Sequence, residues 1–225
     1  MRILLVNPPN AGRSIPEEEY GITAVKDIFR GEPLALEVIA GNLNGHEVAI
    51  ADLKAEPDML WRTCEDFQPD IIGFTAVACE ANTVIRLAEA IKKSIDPVIV
   101  VGGHHATCDP EFFNRSCIDF VVAGLAKMSF RELIDALAGK RDGSGIPGVA
   151  RTSPGEELKL VRRKFTQADL VDDRPPRYDL VEKYRQIEEK EQRWEEVQTD
   201  GADLAAGRND ERTLDHIRLA FFVEH

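Results

Sequence analysis

The chain has 225 residues, with 40 acidic against 28 basic side chains and a formal net charge of −12. That length suits one domain of ordinary size plus extra chain, and an acidic balance without a Lys/Arg cluster argues against a nucleic-acid or anionic-membrane surface. Asn7-Pro8-Pro9-Asn10 cuts off the apolar start after six residues, so neither a membrane anchor nor a signal peptide is expected, and a cytoplasmic location is.

Strand-like and helix-like patterns alternate from the start. Residues 2–6 form a buried first strand, followed by a long connection to Glu32. Leu36, Val38, Ile39 and Leu43 then repeat at helix spacing over residues 33–43, with Pro33 in the first turn and Gly45 just past the end. Residues 46–51 make a second strand ending at Asp52, 58–67 a helix, and 70–74 a third strand. A helix follows over 82–93 on Val84, Ile85, Leu87, Ala88 and Ile91. Strand four, 98–101, is four β-branched residues that break into Gly102-Gly103, and strand five covers 119–123. Ser129 stands three before Glu132, which predicts a capping box opening a helix over 129–137. Strands separated by helices imply right-handed crossovers, hence a doubly wound α/β fold on a five-stranded parallel sheet.

Past Gly139 the pattern changes. Residues 149–152 and 158–161 flank Ser-Pro-Gly-Glu and predict a small hairpin, and 172–177 reads as a linker. Leu180, Tyr184, Ile187, Trp194 and Val197 fall on one face of an amphipathic helix, and Leu214, Ile217, Phe221 and Phe222 make a short apolar face beyond it. The expected organisation is an α/β domain at 1–142, hairpin and linker at 143–180, and a charged helical tail at 181–225.

Open α/β sheets bind ligands outside the carboxyl ends of their strands. At those ends stand Asn7, Pro8 and Pro9; Asp52 and Leu53; Thr75, Ala76, Val77 and Cys79; Gly102, Gly103, His104, His105, Ala106 and Thr107; and Gly124, Leu125 and Lys127. These loops are small, apolar or hydroxylated, with few charges. A dinucleotide fingerprint is missing after strand one, there is no Walker lysine, and an Mg²⁺/Asp phosphoacceptor site would need acids where Asn7 and Thr75 stand. Cys64, Cys79, Cys108 and Cys117 have neither zinc nor cluster spacing, and reduced thiols are the plain expectation. Small hydrophobic burial is expected for Cys79 and Cys108.

Six separated blocks together resemble the cobalamin-binding domain at the front of B12-dependent radical-SAM enzymes. They are Arg2-Ile-Leu-Leu-Val-Asn-Pro-Pro9, Gly31-Glu-Pro-Leu-Ala-Leu-Glu37, His46-Glu-Val48 with Asp52-Leu53, Pro69-Asp-Ile-Ile-Gly-Phe-Thr75, Val100-Val-Gly-Gly-His-His-Ala-Thr107, and Asp119-Phe-Val-Val122 with Phe130-Arg-Glu-Leu133. The likeness is nearest to the anaerobic magnesium-protoporphyrin monomethyl ester cyclase branch and spans about residues 1 to 180. It implies cobalamin with its nucleotide tail threaded into the sheet edge. Gly102 and Gly103 would open the slot by lacking side chains. Thr75, Thr107 and amides near Gly124 would offer hydrogen bonds to the tail. The corrin would rest on Pro8, Ala76, Val77 and Ala106.

Two departures stand out. The family's fifth strand usually runs into Gly-Glu-Gly-Glu, whereas this chain has Gly124-Leu-Ala-Lys127. The three-cysteine loop of the radical-SAM barrel is absent from the sequence, so no iron-sulfur cluster is expected in this chain. The loop after strand one also lacks the Asp-x-His-x-x-Gly histidine of methionine-synthase-type domains, which implies a base-off corrinoid without a replacing histidine. His104 and His105 are the histidines left at that edge, and a turn histidine bonded to backbone is the plainer account of each; His46 and His216 are expected to be structural. The expected partners are a corrinoid and either a radical-SAM catalytic chain or a second copy through the C-terminal helices. A flavodoxin-like FMN or nucleotide binder remains the alternative.

Overall fold

The five strands expected to run parallel all enter one sheet. The computed structural model describes residues 1–9, 32–167, 171 and 175–184. It divides into two units, Met1–Val181 and Glu182–His225, and the first carries the sheet. In chain order the elements are β1 (Arg2–Asn7), α1 (Leu34–Gly41), β2 (Glu47–Asp52), α2 (Met59–Phe67), β3 (Ile71–Thr75), α3 (Ala81–Ser94), β4 (Val98–Gly102), α4 (His104–Cys108), β5 (Phe120–Val122), α5 (Ala126–Leu137) and β6 (Val149–Arg151). The strand order is β2-β1-β3-β4-β5-β6, with the first five parallel and β6 antiparallel to β5. This is the doubly wound α/β fold the sequence predicts, with a sixth strand added.

The core follows from the crossovers. Ile3, Leu4, Val6, Ile71, Ile72, Ile99, Val101 and Val121 have no exposed surface, because helices cover the sheet on both faces. Helix α3 buries Ala81, Val84, Ala88 and Ile91, a stripe at helix spacing. Helices α1 and α5 pack side by side over one face, and the reversal of strand order about β1 sends α2 and α3 to the other. At Gly73 a Cβ would lie 3.1 Å from Leu5 Cδ2 and 3.4 Å from Phe130 Cζ, so this position in β3 lets α5 sit low on the sheet. Among the described residues no helix is long and apolar enough to cross a membrane.

Three local expectations change. The predicted hairpin does not form: Val149–Arg151 pairs with β5, placing Ala150 opposite Val121, while residues 158–161 form no strand. The free edge of β5 offers a ladder, whereas the second arm is held by Gly148 N to Val161 O at 2.7 Å and by Leu158 N to Glu111 Oε2 at 3.0 Å. The capping box is also absent. Helix α5 starts three residues earlier, at Ala126, leaving Ser129 inside it with no exposure. Its hydroxyl donates to Pro147 O at 2.8 Å and accepts from Arg163 Nε at 3.0 Å, while Glu132 pairs with Arg163 at 2.7 Å and Arg141 at 3.0 Å. Residues that look like a helix start instead fasten the chain after α5 back onto it. Lastly, Tyr178–Leu180 is a 3₁₀ turn. Ile187, Trp194 and Val197 of the predicted tail helix, and the apolar face from Leu214 to Phe222, lie outside the described residues.

Ser129→Ala removes the only hydroxyl in that fastening and leaves Pro147 O with a long, weak donor. We expect a loss of about 1–3 kcal/mol of unfolding free energy in urea denaturation. A change below about 0.5 kcal/mol would show that the contact contributes nothing.

Candidate functional site

The register aligns the carboxyl ends of the strands. Asn7 lies opposite Asp52, Val6 opposite Phe74 and Thr75 opposite Gly102. Strand order reverses about β1, so the crevice between the β1 and β3 ends is the switch point.

The two glycines after β4 do different work. Gly103 has φ +99°, and a Cβ there would lie 2.7 Å from Ala76 N and 2.8 Å from Thr75 Oγ1. The backbone leaving β4 runs directly over the backbone leaving β3, and only glycine allows that approach. Gly103 therefore serves a backbone crossing and does not open a slot by lacking a side chain. Gly102 differs, since a Cβ there would meet nothing nearer than Val122 O at 3.5 Å, an ordinary contact. Four hydrogen bonds lock the crossing: Ala76 N to Gly102 O at 3.0 Å, His105 N to Ala76 O at 3.0 Å, and Thr107 N and Oγ1 to Gly103 O at 3.1 and 2.9 Å. Thr107 Oγ1 also accepts from Gly124 N at 2.9 Å. The Thr107 hydroxyl and the Gly124 amide, expected to face a ligand, are thus spent joining the β4 and β5 exits. The predicted loop 104–107 is the short helix α4.

Beneath the crossing lies a cavity of about 430 Å³ between α1, α5 and the sheet. Leu5, Gly73, Thr75, Val100, Gly102 and Val122 line it from the strands, Leu36, Val38 and Ile39 from α1, and Phe130 from α5. Gly103, Gly124, Leu125 and Lys127 stand around it as well. Its size suits a small-molecule moiety, and its walls are almost wholly apolar. Lys127 Nζ donates to Val171 O at 3.0 Å. Helix α5 begins here with no side-chain cap and no acid in its first turn.

The other half of the edge is polar and buried. Asn7 Nδ2 donates to Asp52 Oδ1 at 2.8 Å, and Lys54 N donates to the same oxygen at 3.1 Å. Lys54 Nζ pairs with Glu80 Oε1 at 2.8 Å, and Glu80 Oε2 accepts from Val77 N at 3.3 Å. Burial pushes the Asp52 carboxyl above the ordinary carboxylate range, opposed by the Lys54 and Asn7 donors. Glu80 and Lys54 escaped the sequence reading, because an ion pair between separate loops leaves no local pattern.

The comparisons with known proteins now bear on this site. A family model described as the B12 binding domain matches residues 22–134. The chain belongs to that family. An uncharacterized methyltransferase of Pyrococcus horikoshii is 35% identical over 198 residues, 82% of this chain and 40% of that protein. The anaerobic magnesium-protoporphyrin IX monomethyl ester cyclase of Synechocystis is 29% identical over 168 residues, 67% of this chain and 30% of that protein. This B12-binding domain therefore spans well under half the length of either relative. Among solved structures, the cobalamin-dependent S-adenosylmethionine radical enzyme OxsB, with aqua-cobalamin and S-adenosylmethionine bound, matches with TM-score 0.61 at 18% identity, over 83% of this chain and 25% of that one. The radical S-adenosylmethionine methyltransferase TsrM of Kitasatospora setae, with cobalamin and a [4Fe-4S] cluster bound, matches with TM-score 0.54 at 23% identity, over 77% and 31%. These likenesses confirm the fold.

In the B12-binding domain the remaining sequence candidates are placed as follows. Asn7 and Pro8 are buried, Pro9 is half-buried, and Ala76 and Ala106 have no exposure, so of the four residues expected under the corrin only Val77 presents surface. His104 is exposed, with its ring nitrogens 3.9 Å from Cys108 Sγ. His105 packs edge-on against Phe112 and Phe113, at ring distances of 5.0 and 5.6 Å. His46 lies far from the edge, its Nε2 3.2 Å from Lys140 Nζ, and its pKa is lowered mainly by burial and then by Lys140. All four cysteines are unbridged. Contrary to expectation Cys79 and Cys108 are exposed, because the turns after β3 and β4 face outward; Cys64 and Cys117 are buried, and burial raises the Cys64 thiol to about 11.

Gly103→Ala forces a Cβ into backbone at positive φ, and we expect at least about 2 kcal/mol of destabilisation in urea denaturation, against under about 1 kcal/mol for Gly102→Ala. Equal effects would overturn the distinction between the two glycines. A second expectation concerns pH. Asp52 titrates higher in the folded chain than its unfolded value of about 3.9, so its contribution is complete below about pH 4 and lost as pH rises through the folded value. Asp52→Asn keeps an acceptor for Asn7 and Lys54. It should gain stability relative to the parent above that window and match it below, whereas a constant offset at every pH would refute the assignment.

Proposed function

We propose that this chain holds a base-off cobalamin at the carboxyl edge of its sheet, for methyl-transfer or radical-SAM-type chemistry carried out by another domain or chain. The observation that carries this reading is the apolar cavity between α1, α5 and the sheet, lined by Gly102 at the carboxyl edge of a B12-binding domain. A nucleotide tail with an aromatic base needs such a slot, and Gly102 keeps it clear. Thr75 lines the slot as well. Lys127 and the uncapped start of α5 at the mouth suit a phosphodiester, because a helix N-terminus and a cation both favour an anion. The corrin would lie outside, across the exits of β1, β3 and β4, with Val77 and Leu125 as its exposed apolar neighbours, at 39% and 48% exposure. When bound, the cobalt supplies methyl-transfer chemistry; this chain's residues bind and orient it. Two relatives bear methyltransferase names, which supports the methyl-transfer reading. The cyclase relative supports a tetrapyrrole substrate for a partner domain.

Equilibrium dialysis with hydroxocobalamin tests this directly. Retention by the parent chain is expected, with at least about tenfold weaker binding by Gly102→Leu, whose side chain enters the slot, and little change for cobinamide, which lacks the tail. Electron paramagnetic resonance of the Co(II) form should show no axial nitrogen splitting. A folded parent chain that retains no corrinoid would sink the proposal, and a nitrogen triplet lost in His104→Ala or His105→Ala would refute the base-off state.

A further inference from the structure

The chain after β6 returns to the end of the cavity where β5 stops and α5 begins, and it is fastened there unevenly. Residues 158–166 form neither helix nor strand. Up to Arg163 they are fixed firmly. Leu158 N donates to Glu111 Oε2 at 3.0 Å, and Val161 O accepts from Gly148 N at 2.7 Å. The largely buried Arg163 side chain meets Ser129 Oγ at 3.0 Å and Glu132 Oε2 at 2.7 Å.

Beyond Arg163 the contacts are lighter, and they fall on two residues that line the cavity, Gly124 and Lys127. The Phe165 ring rests on Gly124, where an added Cβ would lie 3.0 Å from Phe165 Cζ. Lys127 Nζ donates to Val171 O at 3.0 Å. Phe165 keeps 43% of its surface exposed, so its seat on Gly124 is partial and opens at modest cost. A neutral carbonyl is also a weaker acceptor for an ammonium than a charged phosphodiester. The cobalamin reading brings a phosphodiester to this same ammonium.

We propose that residues 164–167, with the Val171 carbonyl beyond them, act as a latch hinged at Arg163: an autoinhibitory contact that holds Gly124 and Lys127 until an incoming tail takes Lys127 and Phe165 lifts away. The inference rests on the cobalamin reading above. A chain whose ligand must displace one of its own contacts binds with an affinity reduced to the fraction already open, so weakening the latch strengthens binding. Cobinamide has no tail and does not meet the latch.

The experiment compares the full chain with Phe165→Ala, using hydroxocobalamin and cobinamide, by stopped-flow absorbance for rates and dialysis for affinities. Phe165→Ala should take up hydroxocobalamin at least about threefold faster and bind it correspondingly tighter, with no change for cobinamide. Trypsin gives a second readout on the parent chain. Cleavage after Lys164, followed by mass spectrometry, should speed up with hydroxocobalamin and stay constant with cobinamide. If Phe165→Ala does not fold, the cleavage rate decides. Unchanged uptake by a folded Phe165→Ala chain, or unchanged or slower cleavage after Lys164, overturns the latch and leaves the cobalamin reading intact. A folded parent chain that binds no hydroxocobalamin overturns that reading instead.

Discussion

The backbone of β4 leaves the sheet by passing over the backbone leaving β3, and the whole edge depends on that crossing. Gly103 makes it sterically possible, since any Cβ would come within 2.7 Å of Ala76 N. The hydrogen bonds through Ala76, His105 and Thr107 make it rigid. Thr107 then passes the constraint to β5 by accepting from Gly124 N. Three exits that would otherwise be separate turns become one connected roof. Under it Gly102 and Val100 face open space rather than another element, which is how a close-packed interior keeps a cavity of about 430 Å³.

The two halves of the edge solve opposite problems. On the β1 and β2 side, Asn7, Asp52, Lys54 and Glu80 satisfy one another, with Asp52 4% and Glu80 2% exposed. A buried ion pair of this kind adds little net stability, because desolvation offsets most of the attraction, but removing one partner would be expensive. Its effect is positional: it ties the turn after β3 to the one after β2, fixing where Val77 stands. On the β4 and β5 side almost nothing is charged, and the apolar slot depends on that. Asp52 and the cavity lie at the same edge, yet Asp52's polar contacts run to Asn7 and Lys54.

Much of this was legible in the sequence, and the rest was hidden for identifiable reasons. Hydrophobic periodicity located the five parallel strands and the helices over 34–41, 59–67, 81–94 and 126–137 to within a few residues, since burial on both faces demands long β-branched runs and striped helices. The Gly102-Gly103 pair stands where the cavity lies but hid two roles, as glycine looks the same whether it leaves space open or permits a backbone contact. Ser129 matched a capping pattern, yet its hydroxyl does more against Pro147 and Arg163, contacts set by a segment eighteen or more residues later. The hairpin failed for the same reason: a neighbouring strand in space outcompeted the neighbouring strand in sequence. Cys79 and Cys108 defied their usual burial because their turns protrude from the sheet edge.

The loop after β5 shows how local charge decides at such a site. The chain as a whole is strongly acidic, at −12. The loop itself is Gly124-Leu-Ala-Lys127, with Leu125 48% exposed. Fields from distant surface acids are screened over about 8–10 Å at ordinary ionic strength, so an anion at the mouth responds mainly to groups in contact with it. Those groups are the uncapped first turn of α5 and Lys127, both favourable, with no acid in that turn to oppose them. With Leu and Lys rather than carboxylates, this loop therefore favours anions and apolar surface while the protein as a whole is acidic.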